Sequence, residues 1–155
     1  MNILRRNVLK GAGAAGAVSV AMAAGLLKPG MAYAADWNKA VFESKDLSAV
    51  MSSVGGAGAA AGDISVKAPD IAENGAVVPV EITSNIAGTE SIILIGEKNT
   101  MPMLAQFDLS NGAQGFISTR IKMGSTANVR AVVKAGGKMY TAAKEVKVTI
   151  GGCGG

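Results

Sequence analysis

From Asp63 onward, apolar residues fall on alternate positions between closely spaced turn residues, and no helix-length pattern interrupts them. A period of two places one side-chain set on a core and the other on water, which is the signature of half-buried strands. Ile64 and Val66 alternate with Ser65 and Lys67, and Val78, Val80 and Ile82 alternate with Pro79, Glu81 and Thr83. Pro79 restricts its strand to a place where the missing N–H is not needed, a sheet edge or a bulge. Ser91 to Gly96 is apolar enough for burial on both faces, and Gly115 to Met123, Ala127 to Ala135 and Lys138 to Ile150 follow as further strands. Gly136-Gly137 is a two-residue hairpin turn between the last two. About six or seven strands without intervening helices predict a mainly β chain, an antiparallel β-sandwich over 63–150.

Upstream, 35–62 reads as a helical segment and a connector. Asp36 to Ser44 predicts a short helix with Trp37, Val41 and Phe42 inward. Asp46 is an N-cap, followed by Leu47, Val50, Met51 and Val54 at helical spacing, with Gly55 as the stop. The run Gly55 to Gly62, all Gly and Ala, reads as a flexible connector, and the alanines could extend the helix slightly.

Residues 1–34 form a targeting segment. Arg5 and Arg6 precede a short apolar pair and Lys10, and the uncharged run Gly11 to Leu27 is seventeen residues long and weakly hydrophobic. This is a twin-arginine export signal, with cleavage expected after the Ala32-Tyr33-Ala34 site and no membrane anchor thereafter. Four of the fifteen basic residues leave with it while all eleven acidic residues remain, so the mature chain has no formal net charge. Balanced charge and few aromatics exclude a nucleic-acid partner. The twin-arginine route exports folded proteins to the periplasm. With no cofactor motif visible, assembly with a second subunit is one reason to fold before export.

The last five residues are Gly151-Gly152-Cys153-Gly154-Gly155, and Cys153 is the only cysteine. Four glycines around one side chain at a chain end resist ordering, so the thiol is expected on a flexible arm reaching roughly 10 Å beyond Ile150. In an oxidising compartment a single cysteine implies an intermolecular bond or a reactive thiol. The chain has no histidine, which excludes Ser-His and Cys-His catalysis and ordinary zinc sites. Cys153 stands third from the end, too close for prenylation. Three readings stay open on these residues: a carrier that loads its thiol, a structural subunit that dimerises through Cys153, and a diglycine-type thiocarboxylate carrier. Export away from ATP disfavours the last.

With those residues in view, the chain resembles the SoxY family, substrate carriers of the periplasmic sulfur-oxidising multienzyme system. The likeness rests on the export signal, the helices, Pro69-Asp70-Ile71-Ala72-Glu73-Asn74-Gly75 leading to Val78-Pro79-Val80, Ser118-Thr119-Arg120-Ile121, and above all the terminal Gly-Gly-Cys-Gly-Gly. It departs after Glu97-Lys98-Asn99, where relatives often have proline and this chain has Thr100. The resemblance implies an immunoglobulin-like fold and a non-enzymatic carrier without cofactor or metal, working as a heterodimer with a SoxZ-like β-sandwich subunit. Cys153 would hold thiosulfate-derived intermediates, persulfide among them, with Gly151, Gly152, Gly154 and Gly155 as the swinging arm. A haem c thiosulfate-conjugating protein, a sulfate-releasing hydrolase and a sulfane dehydrogenase would act on that thiol.

Overall fold

In the computed structural model, which describes residues 38–149, the period-two pattern becomes nine strands. These are β1 (Ala60–Ala61), β2 (Ile64–Lys67), β3 (Ile71–Ala72), β4 (Val78–Ser84), β5 (Thr89–Gly96), β6 (Met103–Asp108), β7 (Phe116–Ile121), β8 (Ala127–Ala135) and β9 (Lys138–Val148). One sheet runs β1-β9-β8-β5-β6, with β3 also on β9, and the other runs β2-β4-β7. Without the short β1 and β3, the order is three strands against four, A-B-E facing G-F-C-C′ in the lettering of immunoglobulin-like domains.

Alternation fills the space between the sheets. Val78, Val80 and Ile82 of β4 meet Ile92 and Leu94 of β5 and Val129, Ala131 and Val133 of β8 in one buried cluster. At roughly 1.5–3 kcal/mol for each large aliphatic side chain removed from water, this layer dominates the stability of the domain. Part of the outer face of the large sheet is buried too. Ile93, Ile95, Met103 and Val132 pack with Val41 and Val50 of two helices, α1 (Lys39–Phe42) and α2 (Leu47–Ser53). All of β5 from Ser91 to Gly96 is therefore buried, as its unbroken apolar run requires. The Asp46 carboxylate caps α2 by accepting from the Ser48 N–H at 2.8 Å, and Gly55 follows in the left-handed region at φ 71°. Trp37 lies outside the described residues.

Pro79 sits in the central strand of the small sheet, opposite Arg120 of β7. The β2 side of β4 is paired only from Glu81 to Ser84, so Pro79 lies on a locally open edge, where its missing N–H removes no rung. The Gly136-Gly137 turn has φ 55° and 72° and closes the Ala135–Lys138 pair, as a tight hairpin between β8 and β9 demands.

Three features differ from the sequence expectation. The Gly55 to Gly62 run is not a loose connector among the described residues: Gly56–Gly58 form a 3-10 turn and Ala60–Ala61 pair with Tyr140 and Thr141. Small residues serve close approach here, since a Cβ on Gly62 would lie 2.8 Å from Tyr140 Cβ. The large sheet is not wholly antiparallel, because β1 and β3 both pair parallel to β9. The third feature is β6, a strand that the sequence reading did not place; its outer position in the sheet leaves both faces partly exposed and blurs its alternation.

Candidate functional site: the root of the C-terminal arm

Cys153, the arm glycines Gly151, Gly152, Gly154 and Gly155, Ile150, and the signal residues Arg5 and Arg6 lie outside the described residues. The described residues define the base from which the terminal segment departs. Val146 is fully buried opposite Ala127 of β8, and Val148 packs against the sandwich core. On the other side of β9, Lys147 and Val148 pair with Ile71 and Ala72 of β3. The Lys147 N–H donates to the Asp70 carbonyl at 2.9 Å and the Thr149 N–H to the Ala72 carbonyl at 3.1 Å. Thr149 Oγ1 donates to the Glu73 carbonyl at 3.1 Å, and the Val148 N–H donates to Thr126 Oγ1 at 2.9 Å. Lys144 Nζ lies 3.0 Å from Asp70 Oδ1 on the same flank.

Residues 69–75, which carried part of the family likeness in sequence, are thus the clip on the last strand. Their own shape is fixed as well: Asn74 Oδ1 accepts from the Ala76 N–H at 2.8 Å, and the Gly75 carbonyl accepts from the Met123 N–H at 2.7 Å. Sequence reasoning placed a strand over Lys138 to Ile150 but named no partner that holds its end. It missed Thr126 and the backbone of β3, for which a two-residue strand gives no periodic signal.

The loops beside this root are tied to one another. Arg130 pairs with Glu97 at 2.6 Å through Nη2 and donates to it through Nε at 2.7 Å, while Asn128 Nδ2 donates to the same carboxylate at 2.9 Å. Asn99 Nδ2 donates to the Lys122 carbonyl at 2.7 Å and Asn99 Oδ1 accepts from the Gly124 N–H at 3.1 Å. Thr100, where the family pattern departs, is exposed beside these bonds, and the loop closes through the Gly96 N–H to the Pro102 carbonyl at 2.9 Å. No group of three or more His, Cys, Asp or Glu that could hold a metal occurs among the described residues. The arrangement is a rigid mount for a terminal segment.

The class defined so far is an immunoglobulin-like domain whose last strand is held on both flanks near its end. The chain matches the family of sulfur oxidation protein SoxY over residues 51–153, a span that includes Cys153, and it belongs to that family. A solved structure of the sulfur carrier protein SoxY from Chlorobium limicola f thiosulfatophilum is similar at 40% identity and a TM-score of 0.57, covering 66% of this chain and 94% of that one. Superoxide reductase (neelaredoxin) from Ignicoccus hospitalis is similar at 18% identity and a TM-score of 0.48, over 55% of this chain and 79% of that one, too distant to support an argument. No curated protein sequence matches.

Proposed function

We propose that this chain is a sulfur carrier that holds thiosulfate-derived intermediates covalently on Cys153 and presents them to partner enzymes in the periplasm. The observation that supports this most is the family match running through the only cysteine. The similar SoxY from Chlorobium is itself a sulfur carrier protein. The clip at Thr149 supports the mechanics, because a tethered thiol needs a stationary base and a loose tether.

In the cycle, the Cys153 thiol loses its proton and two electrons pass to the haem c partner as its sulfur bonds to the outer sulfur of thiosulfate. Water then attacks the terminal sulfone under the hydrolase, sulfate leaves, and a persulfide stays on Cys153 for the sulfane dehydrogenase. An ordinary thiol near pKa 8.5 is only a few per cent thiolate at neutral pH, and the chain has no histidine to help. The partner sites supply the activation. Residues 1–34 with Arg5 and Arg6 direct export in folded form, and the resting complex is a heterodimer with a SoxZ-like subunit.

Cys153→Ser tests the reading. Intact-mass spectrometry after incubation with thiosulfate and the partner enzymes should show the adduct on the native chain and none on the variant, with turnover abolished and folding intact. Adducts that persist on the serine variant overturn it. A non-reducing gel dominated by a Cys153-linked homodimer that substrate does not disperse would favour a structural subunit.

A further inference from the structure

The two edges of the large sheet differ. The outer edge of β9 is covered by β1 and β3. Among the described residues β6 pairs with β5 alone, and β7 pairs with β4 alone. These two outer strands border one cleft of about 240 Å³, lined by Leu94 and Leu104 from the large sheet and Thr119, Arg120 and Ile121 from the small one. Natural edges are commonly protected by lysine, proline or an outward bulge. β6, Met103-Leu104-Ala105-Gln106-Phe107-Asp108, has no lysine or proline and no charge before its last residue. Its register shift is on the side paired with β5, between Leu94 and Ile95.

The ladder shows which groups are free to pair. The Leu109 N–H donates to the Glu90 carbonyl at 2.8 Å. In an antiparallel ladder alternate residues point the same way, so Phe107 and Ala105 also aim their N–H groups at β5, while Gln106 and Asp108 aim theirs outward. Beside this edge stand three exposed cations, Lys98, Arg120 and Lys122, none of which forms an ion pair with a described residue. Lys122 borders this cleft and also a neighbouring one that it shares with Lys98 and Met101.

We infer that the β6 edge and the β6–β7 cleft receive the edge strand of the partner β-sandwich subunit, which adds to β6 through backbone hydrogen bonds and sets carboxylates against Arg120, Lys122 and Lys98. Strand addition draws affinity from the main chain and specificity from the side chains beside it. The unpaired cations select an acidic partner and steer its approach. The cleft, apolar at Leu104 and Ile121 and polar at Thr119 and Arg120, takes one side chain of the incoming strand. This rests on the reading that the chain works paired with a second subunit, and it assigns the surface that does so.

Hydrogen exchange on the isolated chain and on its complex with the co-expressed partner subunit tests the assignment. The Gln106 and Asp108 amides should exchange freely in the isolated chain and be protected at least tenfold in the complex. Gln106→Pro removes one outward N–H and leaves the rungs to β5 in place, and should weaken the complex at least tenfold. Arg120→Glu with Lys122→Glu should weaken it similarly and remove most of its salt dependence, without needing any change in the strand. If the proline variant fails to fold, the charge variant and the exchange data decide. A complex that forms with Gln106 and Asp108 still exchanging freely overturns this inference alone. Absence of any complex overturns the paired-subunit reading with it. Protection already present in a homodimer of the isolated chain makes a second copy the occupant, which also overturns the assignment.

Discussion

Thr126→Val isolates the clip on the last strand. The two side chains are nearly the same shape, so the change removes Oγ1 and little else. The Val148 N–H, which donates to that oxygen at 2.9 Å, loses its partner on a half-buried strand. An unsatisfied buried donor costs about 1–3 kcal/mol, and partial access of water to Val148 puts the expected loss near the lower end, about 1–1.5 kcal/mol. For a domain of this size each kcal/mol lowers Tm by roughly 4–6 °C. Thr126→Ser keeps the oxygen and gives up one methyl, at most about 0.8 kcal/mol. Thermal unfolding should therefore rank native, serine, valine, and hydrogen exchange should show the valine effect concentrated at Lys147, Val148 and Thr149. Turnover with the partner enzymes should slow as the base of the arm frays. Equal stability of the valine and native proteins, with Val148 still protected, would refute the assignment of Thr126 as a clip.

Asp46→Asn probes the cap of α2. The Ser48 backbone N–H, then its hydroxyl, hold the Asp46 carboxyl below its ordinary value, so the ionised form adds stability above that value and loses it as pH falls through the lowered folded pKa. The stability difference between the native protein and this variant should be present at pH 7 and shrink as pH falls below the ordinary carboxylate range in denaturant titrations. Gly62→Ala should destabilise by about 1–3 kcal/mol through overpacking, because the new Cβ meets Tyr140 Cβ at 2.8 Å. Urea unfolding checks it, and a neutral result would mean β1 can shift away from β9. Replacing Gly152 and Gly154 by valine should leave alkylation of Cys153 by a small reagent unchanged while slowing transfer between partner enzymes, since a β-branched side chain stiffens and widens the segment. Single-turnover kinetics with each partner measure the difference.

The sandwich was legible because β4, β5 and β8 place aliphatic residues on a buried face in nearly unbroken patterns, and Gly136-Gly137 marks its own turn. The cap at Asp46 and the stop at Gly55 were equally local. What escaped was pairing that depends on distant partners. β1 and β3 are two residues each and exist only because β9 offers them an edge, while β6 mixes faces because water reaches both. The Gly55 to Gly62 run shows how composition misleads: small residues mark either freedom or close approach, and only the position of Tyr140 decides. At the candidate site, sequence pointed to the cysteine and its glycines, whereas Thr126 and the bonds that Asp70, Ala72 and Glu73 make to the end of β9 surface only once the chain is folded back on itself.

The parallel β3 and the antiparallel β8 flank the end of β9 from opposite sides, and this sets how the domain answers a mechanical load. A tug on the terminus in line with β9 runs along the strand axis, across the hydrogen bonds on both flanks at once. Bonds loaded together in shear share the force, whereas a strand held on one side and pulled sideways opens one rung at a time. A pull along that axis loads the bonds to β3 and to β8 together, so the domain should follow as one body before the last strand is peeled from its neighbours.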